Sequence, residues 1–296
     1  MLLAAPAFIV SKKKMLPENA ALTLTVFLLY VCQPFLIIRN FQLIDFSGKI
    51  LLNMLYSAIL ALVSIILILI ISRLAFKRFA NADKLGVLNF TTAFGNCGFL
   101  GIPLVMGIFG AETMLVIYCT IYVVMFNILS YTVGVYMITG DKKYIKAKKI
   151  FLNPPFVAVV IALPLFFLNI KFTDFSPELF KGISFLADML TPLSMFILGI
   201  RLSKIRFVEL VNDLNIYAAS FIKLIIMPLL ILLIMLPFKL DEGVKYAMFF
   251  MCAVPSGATA MAFCEQFDRR ADIAAKCVLL STIFSVLTIP LMTLML

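Results

Sequence analysis

The chain has 296 residues, of which 64% are hydrophobic and only 14% charged, and its mean hydropathy is +1.12. Soluble domains are about 45–50% apolar and about 25% charged, so this composition excludes a soluble domain and indicates an integral membrane protein. The formal charge of +10 is typical of membrane proteins, which collect lysine and arginine in cytoplasmic loops, and does not call for a nucleic-acid partner.

The chain contains no histidine. This excludes Ser-His-Asp and Cys-His catalysis and argues against a zinc or haem site. No phosphate-binding G-x-x-x-x-G-K-[ST] loop occurs, so the chain is not expected to hydrolyse ATP. We therefore predict a protein that is not an enzyme and that uses no cofactor and no metal.

Ten apolar stretches follow one another along the chain, separated by short polar loops. They cover residues 2–10, 20–38, 50–71, 85–109, 113–138, 154–170, 183–200, 216–236, 244–263 and 274–294. A helix needs about 20 apolar residues to cross a hydrocarbon core about 30 Å thick, whereas nine residues reach only about 14 Å. We predict an all-α integral membrane protein of ten transmembrane helices, of which the first is short or truncated.

The charges of the loops predict the orientation. Seventeen lysines and arginines fall in alternate loops, including Lys204 and Arg206, and six fall in or beside the intervening loops. Because basic residues mark cytoplasmic loops, the first set is assigned to the cytoplasm. This predicts a multi-pass protein of the cell membrane with both termini outside the cytoplasm.

The most basic of these loops divides the chain into two sets of five spans. We predict a first repeat at 1–140, a basic cytoplasmic loop at 141–152 and a second repeat at 153–296. An odd number of spans in each half inserts the second half upside down, which is the geometry of an inverted repeat and is common in secondary transporters. The second spans match loosely, with Gln33-Pro34 in one and Thr191-Pro192 in the other.

The fourth span of each half is interrupted. The first contains Gly95, Gly98 and Gly101 followed by Pro103, and the second contains Pro255. Proline removes a backbone donor and glycine weakens the helix, and freed backbone at membrane depth is tolerated only in protein or beside a polar cavity. Close helix packing is the better explanation of a single such span, but a matched pair in opposed halves favours a substrate site near the midplane.

The stretch GNCGFLGIPL resembles the auxin efflux carrier family, whose bacterial members include malate and malonate permeases. The segments YVCQPFLII, LTPLSMFILGIRLSK and KLIIMPLL are similar to that family in the same order. The resemblance implies a fold like that of sodium/proton antiporters, with two crossing, broken helices. It also implies export or exchange of small organic anions such as dicarboxylates, and a homodimer is possible. Many relatives carry an asparagine where this chain reads PSGAT, so Thr259 is the nearest equivalent.

The N-terminus of a half-helix presents unpaired N–H groups and a positive dipole end, so it can bind a carboxylate without a basic side chain. We expect the side chains of Asn96 and Thr259, with the backbone at 98–103 and 255–257, to hold the substrate. The candidate substrate-binding residues are Asn96, Gly98, Gly101, Pro103, Pro255, Ser256 and Thr259.

Three further polar residues are candidates for coupling or charge pairing. Lys223 lies well inside an apolar span, where a charge is either functional or extended toward the interface. Asp188 begins the seventh span, and Asn89, Asn96 and Pro103 recur every seven residues, which places them on one face of a continuous helix.

Coupling stays open between a proton, a sodium ion and uniport driven by the membrane potential. A sodium-coupled importer of organic anions on the same fold is the main alternative. A membrane sensor or scaffold without transport is a weaker one, because no soluble signalling domain fits in the short loops.

Overall fold

The computed structural model describes residues 2–110, 114–203 and 213–294. Within these ranges the regular secondary structure is helical, and short loops connect the helices. Twelve helices are labelled here in chain order. They are α1 (Ala5–Lys12), α2 (Ala20–Gln42), α3 (Gly48–Phe76), α4 (Ala82–Ala93), α5 (Cys97–Phe109), α6 (Met114–Thr139), α7 (Pro154–Phe167), α8 (Pro177–Ser203), α9 (Leu214–Met235), α10 (Glu242–Ala253), α11 (Thr259–Gln266) and α12 (Ala271–Thr293). Short helical turns at Lys142–Tyr144, Ala147–Phe151 and Phe172–Phe175 lie in the connections.

Six of these helices, α2, α3, α6, α8, α9 and α12, are long and apolar enough to cross a membrane. Helices α5 and α7 are apolar but shorter. The chain is thus a multi-pass membrane protein, and its regular structure is helical in the part that the structure describes. Three residues used in the predictions lie outside the described ranges. They are Thr113, where the fifth span was predicted to begin, and Lys204 and Arg206, which were counted among the basic residues of the cytoplasmic loops.

The sequence of α3, the longest of the described helices, is suited to a lipid environment. Leu55 and Ile70 are more than half exposed on its outer face, whereas Ser57, Ser64 and Ser72 are buried on its inner face. The buried hydroxyls donate to carbonyls three or four residues earlier in the same helix. Because lipid is as apolar as leucine, a membrane helix can face outward with its largest side chains and pack its small ones inward.

The first helix is short, as the sequence predicts. Helix α1 has 8 residues and packs along the Leu190–Ser203 part of α8. A Cβ atom on Gly199 would lie 2.2 Å from the carbonyl oxygen of Ala4, so a glycine is needed where the two backbones meet. Eight residues of helix extend only about 12 Å, less than the thickness of a bilayer.

The prolines of the second spans distort their helices without ending them. A π-helical turn, Leu28–Cys32, precedes Pro34, and α2 continues to Gln42. A single turn residue, Met189, interrupts the α-helical pattern of α8 ahead of Pro192. Helix α9 also contains a π-helical turn, Ile222–Ile226, just before Pro228. Such turns adjust the backbone locally where proline cannot donate.

Polar contacts group the loops into the same two alternating sets that the loop charges predict. One set is joined by contacts of Arg269 with Asp83 and Thr139, Lys84 with Asp213, and Lys12 with Ser203. The other set is joined by contacts of Lys171 with Asp45, Asn169 with Phe46, and Lys49 with Asp241. The assignment of the first set to the cytoplasm remains a prediction.

Candidate functional site

Helices α4 and α5 form one interrupted segment, and helices α10 and α11 form another. The two interruptions meet. The N–H of Asn96 donates to the carbonyl of Pro255 at 2.7 Å, and the N–H of Gly257 donates to the carbonyl of Phe94 at 2.9 Å. Gly95 and Ser256 form an isolated antiparallel bridge between these bonds. We call this pairing of residues 94–96 with residues 255–257 the crossing.

The crossing satisfies backbone groups that the two breaks would otherwise leave unpaired. Unpaired N–H and C=O groups are costly in a medium without water. The remaining N–H of Ser256 donates to the hydroxyl of Ser281 in α12 at 3.1 Å. A Cβ on Gly257 would lie 2.8 Å from the carbonyl oxygen of Gly95, so the close approach of the two backbones depends on glycine.

A cavity of about 360 Å³, counting the part open at its mouth, lies beside the crossing. Its lining combines the crossing with residues of α2 and α6. The lining residues are Leu29, Gln33, Gly95, Asn96, Cys97, Gly98, Phe99, Val123, Phe126, Asn127, Gly257, Ala258 and Thr259. The set contains four side chains with amides or hydroxyls and no charged side chain.

Two helices begin at this cavity. Cys97, Gly98 and Phe99 form the first turn of α5, and Ala258 and Thr259 lie at the start of α11, and all five line the cavity. The first N–H groups of a helix have no partner within the helix, and they carry the positive end of its dipole. Two such ends beside one cavity favour a negatively charged ligand.

The four polar side chains add donors and acceptors to the lining. The Oγ1 atom of Thr259 is buried and has no hydrogen-bond partner in the protein. Gln33 is only 2% exposed, and its Nε2 atom lies 2.8 Å from the position of a Cβ on Gly98. Asn96 and Asn127 are partly exposed. Buried polar atoms are normally paired, so the unpaired Thr259 hydroxyl is a candidate ligand atom.

The structure brings three of the seven predicted substrate-binding residues, Asn96, Gly98 and Thr259, to the cavity wall. The other four are not among its lining residues. Pro255 and Ser256 form part of the crossing, and Gly101 lies against the Met251 side chain. Pro103 is buried inside α5, two residues after the π-helical turn Cys97–Gly101, and such a turn adjusts the backbone where proline cannot donate.

Sequence reasoning did not select Gln33 or Asn127 as site residues. Gln33 directly precedes Pro34, and only the proline was interpreted, as a possible break in the helix. The amide of Gln33 was not considered as a ligand. Asn127 is a single polar residue in an apolar span, and that was its only signal. Both reach the cavity because α2 and α6 pack beside the crossing, which sequence spacing does not reveal.

The predicted alignment of Asn89, Asn96 and Pro103 on one helix face requires a continuous helix. The break at 94–96 separates Asn89, on α4, from the cavity, and its Oδ1 atom is buried without a partner. Asp188 forms an ion pair with Arg39, and the Asp188 side chain is 61% exposed. Neither Asn89 nor Asp188 lines the cavity.

Lys223 is completely buried, and its side chain points inward. Its Nζ atom donates to Sδ of Met227 at 3.0 Å and to the carbonyl of Cys252 at 3.4 Å. A Cβ on Gly95 would lie 2.7 Å from this Nζ atom. The ammonium group therefore lies against the crossing and does not extend to the membrane interface.

Within the described ranges, no three histidine, cysteine, aspartate or glutamate residues are grouped in a way that could hold a metal ion. The six cysteines are buried and unpaired with one another. The polar groups at the cavity suit a small anion bound by hydrogen bonds.

A model of the family described as membrane transport protein matches residues 1–293 of the chain. The chain belongs to this family, the auxin efflux carrier family. It is similar to an uncharacterized transporter of Methanothermobacter thermautotrophicus, with 27% identity over 98% of the chain and 94% of that protein. It is also similar to an uncharacterized transporter of Methanocaldococcus jannaschii, with 33% identity over 41% of the chain; this match spans 40% of that relative's length.

Proposed function

We propose that the protein is a secondary-active carrier that exports or exchanges small organic anions by alternating access. The cavity beside the crossing is the substrate site. The observation that carries the proposal is the convergence of the N-terminal turns of α5 and α11 on this one cavity. Two positive dipole ends, with amide and hydroxyl side chains between them, match a carboxylate group.

The lining of the cavity narrows the class of substrate. Part of the space of about 360 Å³ is open to solvent, so the enclosed part suits only a compact group such as a carboxylate. Phe99 and Phe126 supply apolar wall beside the polar groups. The polar groups would bind one carboxylate, and the rest of the molecule would be either a short apolar group or a second carboxylate. Dicarboxylates and small aromatic acids are therefore the classes to test first.

The matching interruptions also support the inverted repeat, with 1–140 and 153–296 as opposed halves around the basic loop at 141–152. In such carriers the two halves surround one site, which opens to each side of the membrane in turn. Export, exchange and sodium-coupled import share this geometry. The driving gradient therefore has to be measured.

The first experiment is a thermal-shift screen of the purified protein against C3–C6 dicarboxylates and aromatic acids. Acids that stabilise the protein are then tested as labelled substrates in proteoliposomes under separately imposed proton, sodium and voltage gradients. We expect transport of at least one organic acid. Accumulation that requires a sodium gradient would select the importer, and no transport of any acid would contradict the proposal.

The Asn96→Ala variant tests the site itself. We expect at least a fivefold rise in the half-saturating substrate concentration, because a side chain at the cavity wall is removed. Asn19→Ala is the matched control, since Asn19 is exposed and makes no side-chain cap bond at the start of α2. Unchanged affinity in Asn96→Ala would place the site elsewhere.

A further inference from the structure

Lys223 brings a positive charge next to the candidate site without lining it. Gly95 connects the two, because it forms part of the cavity wall and also lies against the Nζ atom of Lys223. No basic side chain lines the cavity itself. The ammonium group is therefore separated from the cavity by the backbone of the crossing.

The protein partners of Lys223 do not neutralise it. Its two hydrogen-bond acceptors are a thioether sulfur and the carbonyl of Cys252, which belongs to the last turn of α10. Among the residues that the structure describes, no aspartate or glutamate forms an ion pair with it. The negative dipole end of α10 compensates only a fraction of a unit charge.

A buried charge in a membrane protein is costly unless it is paired. An anion in the cavity would be attracted by the positive ends of α5 and α11. It would also be attracted by the ammonium group on the other side of Gly95. Charges act over several ångströms in a medium of low dielectric constant, so direct contact with the ligand is not required.

We propose that Lys223 is the charge partner of the transported anion and acts on it through the backbone at Gly95. The inference rests on the proposed function. It makes Lys223 a positioning and specificity residue that selects the ionised carboxylate over neutral molecules of the same shape. A Cβ atom at position 95 would meet Nζ and Cε of Lys223 and Cγ2 of Val254, so the ammonium group lies directly against the backbone of the crossing.

The test compares each carboxylate with its neutral amide. The probe pairs are benzoate with benzamide and malonate with malonamide, and dissociation constants are measured by calorimetry on the purified full-length protein. We expect the wild type to bind a carboxylate at least tenfold more tightly than its amide. Lys223→Gln should weaken carboxylate binding at least tenfold and change amide binding less than twofold, and Lys223→Arg should retain most of the preference.

Lys239→Gln is the control, because it removes one positive charge from an exposed lysine in the loop after α9. It should leave both affinities unchanged. Equal weakening of acid and amide binding in Lys223→Gln would show a purely structural role and overturn the inference. So would an unchanged preference for the acid.

The wild type provides a test that does not depend on folding of the variant. Equal affinity of wild-type protein for acid and amide overturns the inference even if Lys223→Gln does not fold. If the wild type binds and transports an acid, and Lys223→Gln prefers the acid over its amide to the same extent, this inference alone is contradicted. A wild type that neither binds nor transports any acid in the screen contradicts the proposed function as well.

Discussion

The backbone N–H of Asn96 donates to the carbonyl of Pro255 at 2.7 Å, which joins two interrupted segments that are widely separated in the sequence. The bond is one of two that flank the Gly95–Ser256 bridge. Through this pairing, the beginnings of α5 and α11 are held beside one cavity. The geometry of the candidate site therefore depends on how closely the two backbones approach.

Gly257→Ala tests that approach. The new Cβ would lie 2.8 Å from the carbonyl oxygen of Gly95, so the crossing would have to shift. We expect a loss of about 1–3 kcal/mol in stability, the usual cost of overpacking. Thermal unfolding in detergent measures it. Gly107→Ala is the control, because a Cβ there meets nothing within 4 Å; an equal melting temperature for both variants would contradict the prediction.

Thr259→Val tests the unpaired hydroxyl at the cavity. Its Oγ1 atom has no partner in the protein, so replacement by a methyl group should not destabilise the fold. We expect unchanged or slightly raised thermal stability together with at least fivefold weaker binding of the transported acid.

Thr282→Val is the matched control for that variant. Thr282 is buried in α12, and its hydroxyl already donates to the carbonyl of Val278. It should leave affinity for the acid intact. Normal binding by Thr259→Val would remove this hydroxyl from the site.

Asn127→Asp places a carboxylate in the cavity wall without changing the size of the side chain. Because the site is proposed to hold an anion, like-charge repulsion should weaken acid binding at least tenfold near pH 7. Calorimetry with the best acid from the screen provides the measurement. Asn19→Asp adds the same charge at an exposed position and should have no effect, whereas tighter binding by Asn127→Asp would indicate a cationic substrate.

The ion pair of Asp241, in the loop before α10, should make the stability of the fold depend slightly on pH. The hydrogen bond from Lys49 and its charge lower the pKa of this carboxyl. A carboxyl with a lowered pKa stabilises the fold above its unfolded pKa of about 4, and this contribution is lost as the pH falls through the folded pKa. Since Lys49 is exposed and the side chain of Asp241 is partly exposed, solvent screens the pair and the contribution should be small.

Asp241→Asn isolates that charge effect, because asparagine is an equally good cap for the N–H of Gly243. The variant should unfold at a slightly lower temperature at pH 7, and the difference should shrink near pH 3. Melting curves at the two pH values measure it. A difference that grows at low pH would contradict the assigned sign.

The interruptions illustrate how far sequence reasoning reaches. Pro103 and Pro255, with the neighbouring glycines, pointed to the two broken segments. The first break falls at residues 94–96, ahead of the predicted 98–103, which lie inside α5 because a π-helical turn accommodates Pro103. Three of the predicted site residues, Asn96, Gly98 and Thr259, do line the cavity. Gly101 was also selected, but it is occupied in packing against Met251, and no local signal separates such a role from a binding role.

The amino-acid sequence by itself determined that the chain is a multi-pass helical membrane protein and which two segments are interrupted, because hydrophobicity, proline and glycine act locally. The tertiary structure decided which groups share one site. Gln33 and Asn127 reach the cavity from separate helices, and Lys223 reaches Gly95 from a third. These contacts depend on how helices pack, and packing is set by the fit of whole surfaces, which no single stretch of sequence contains.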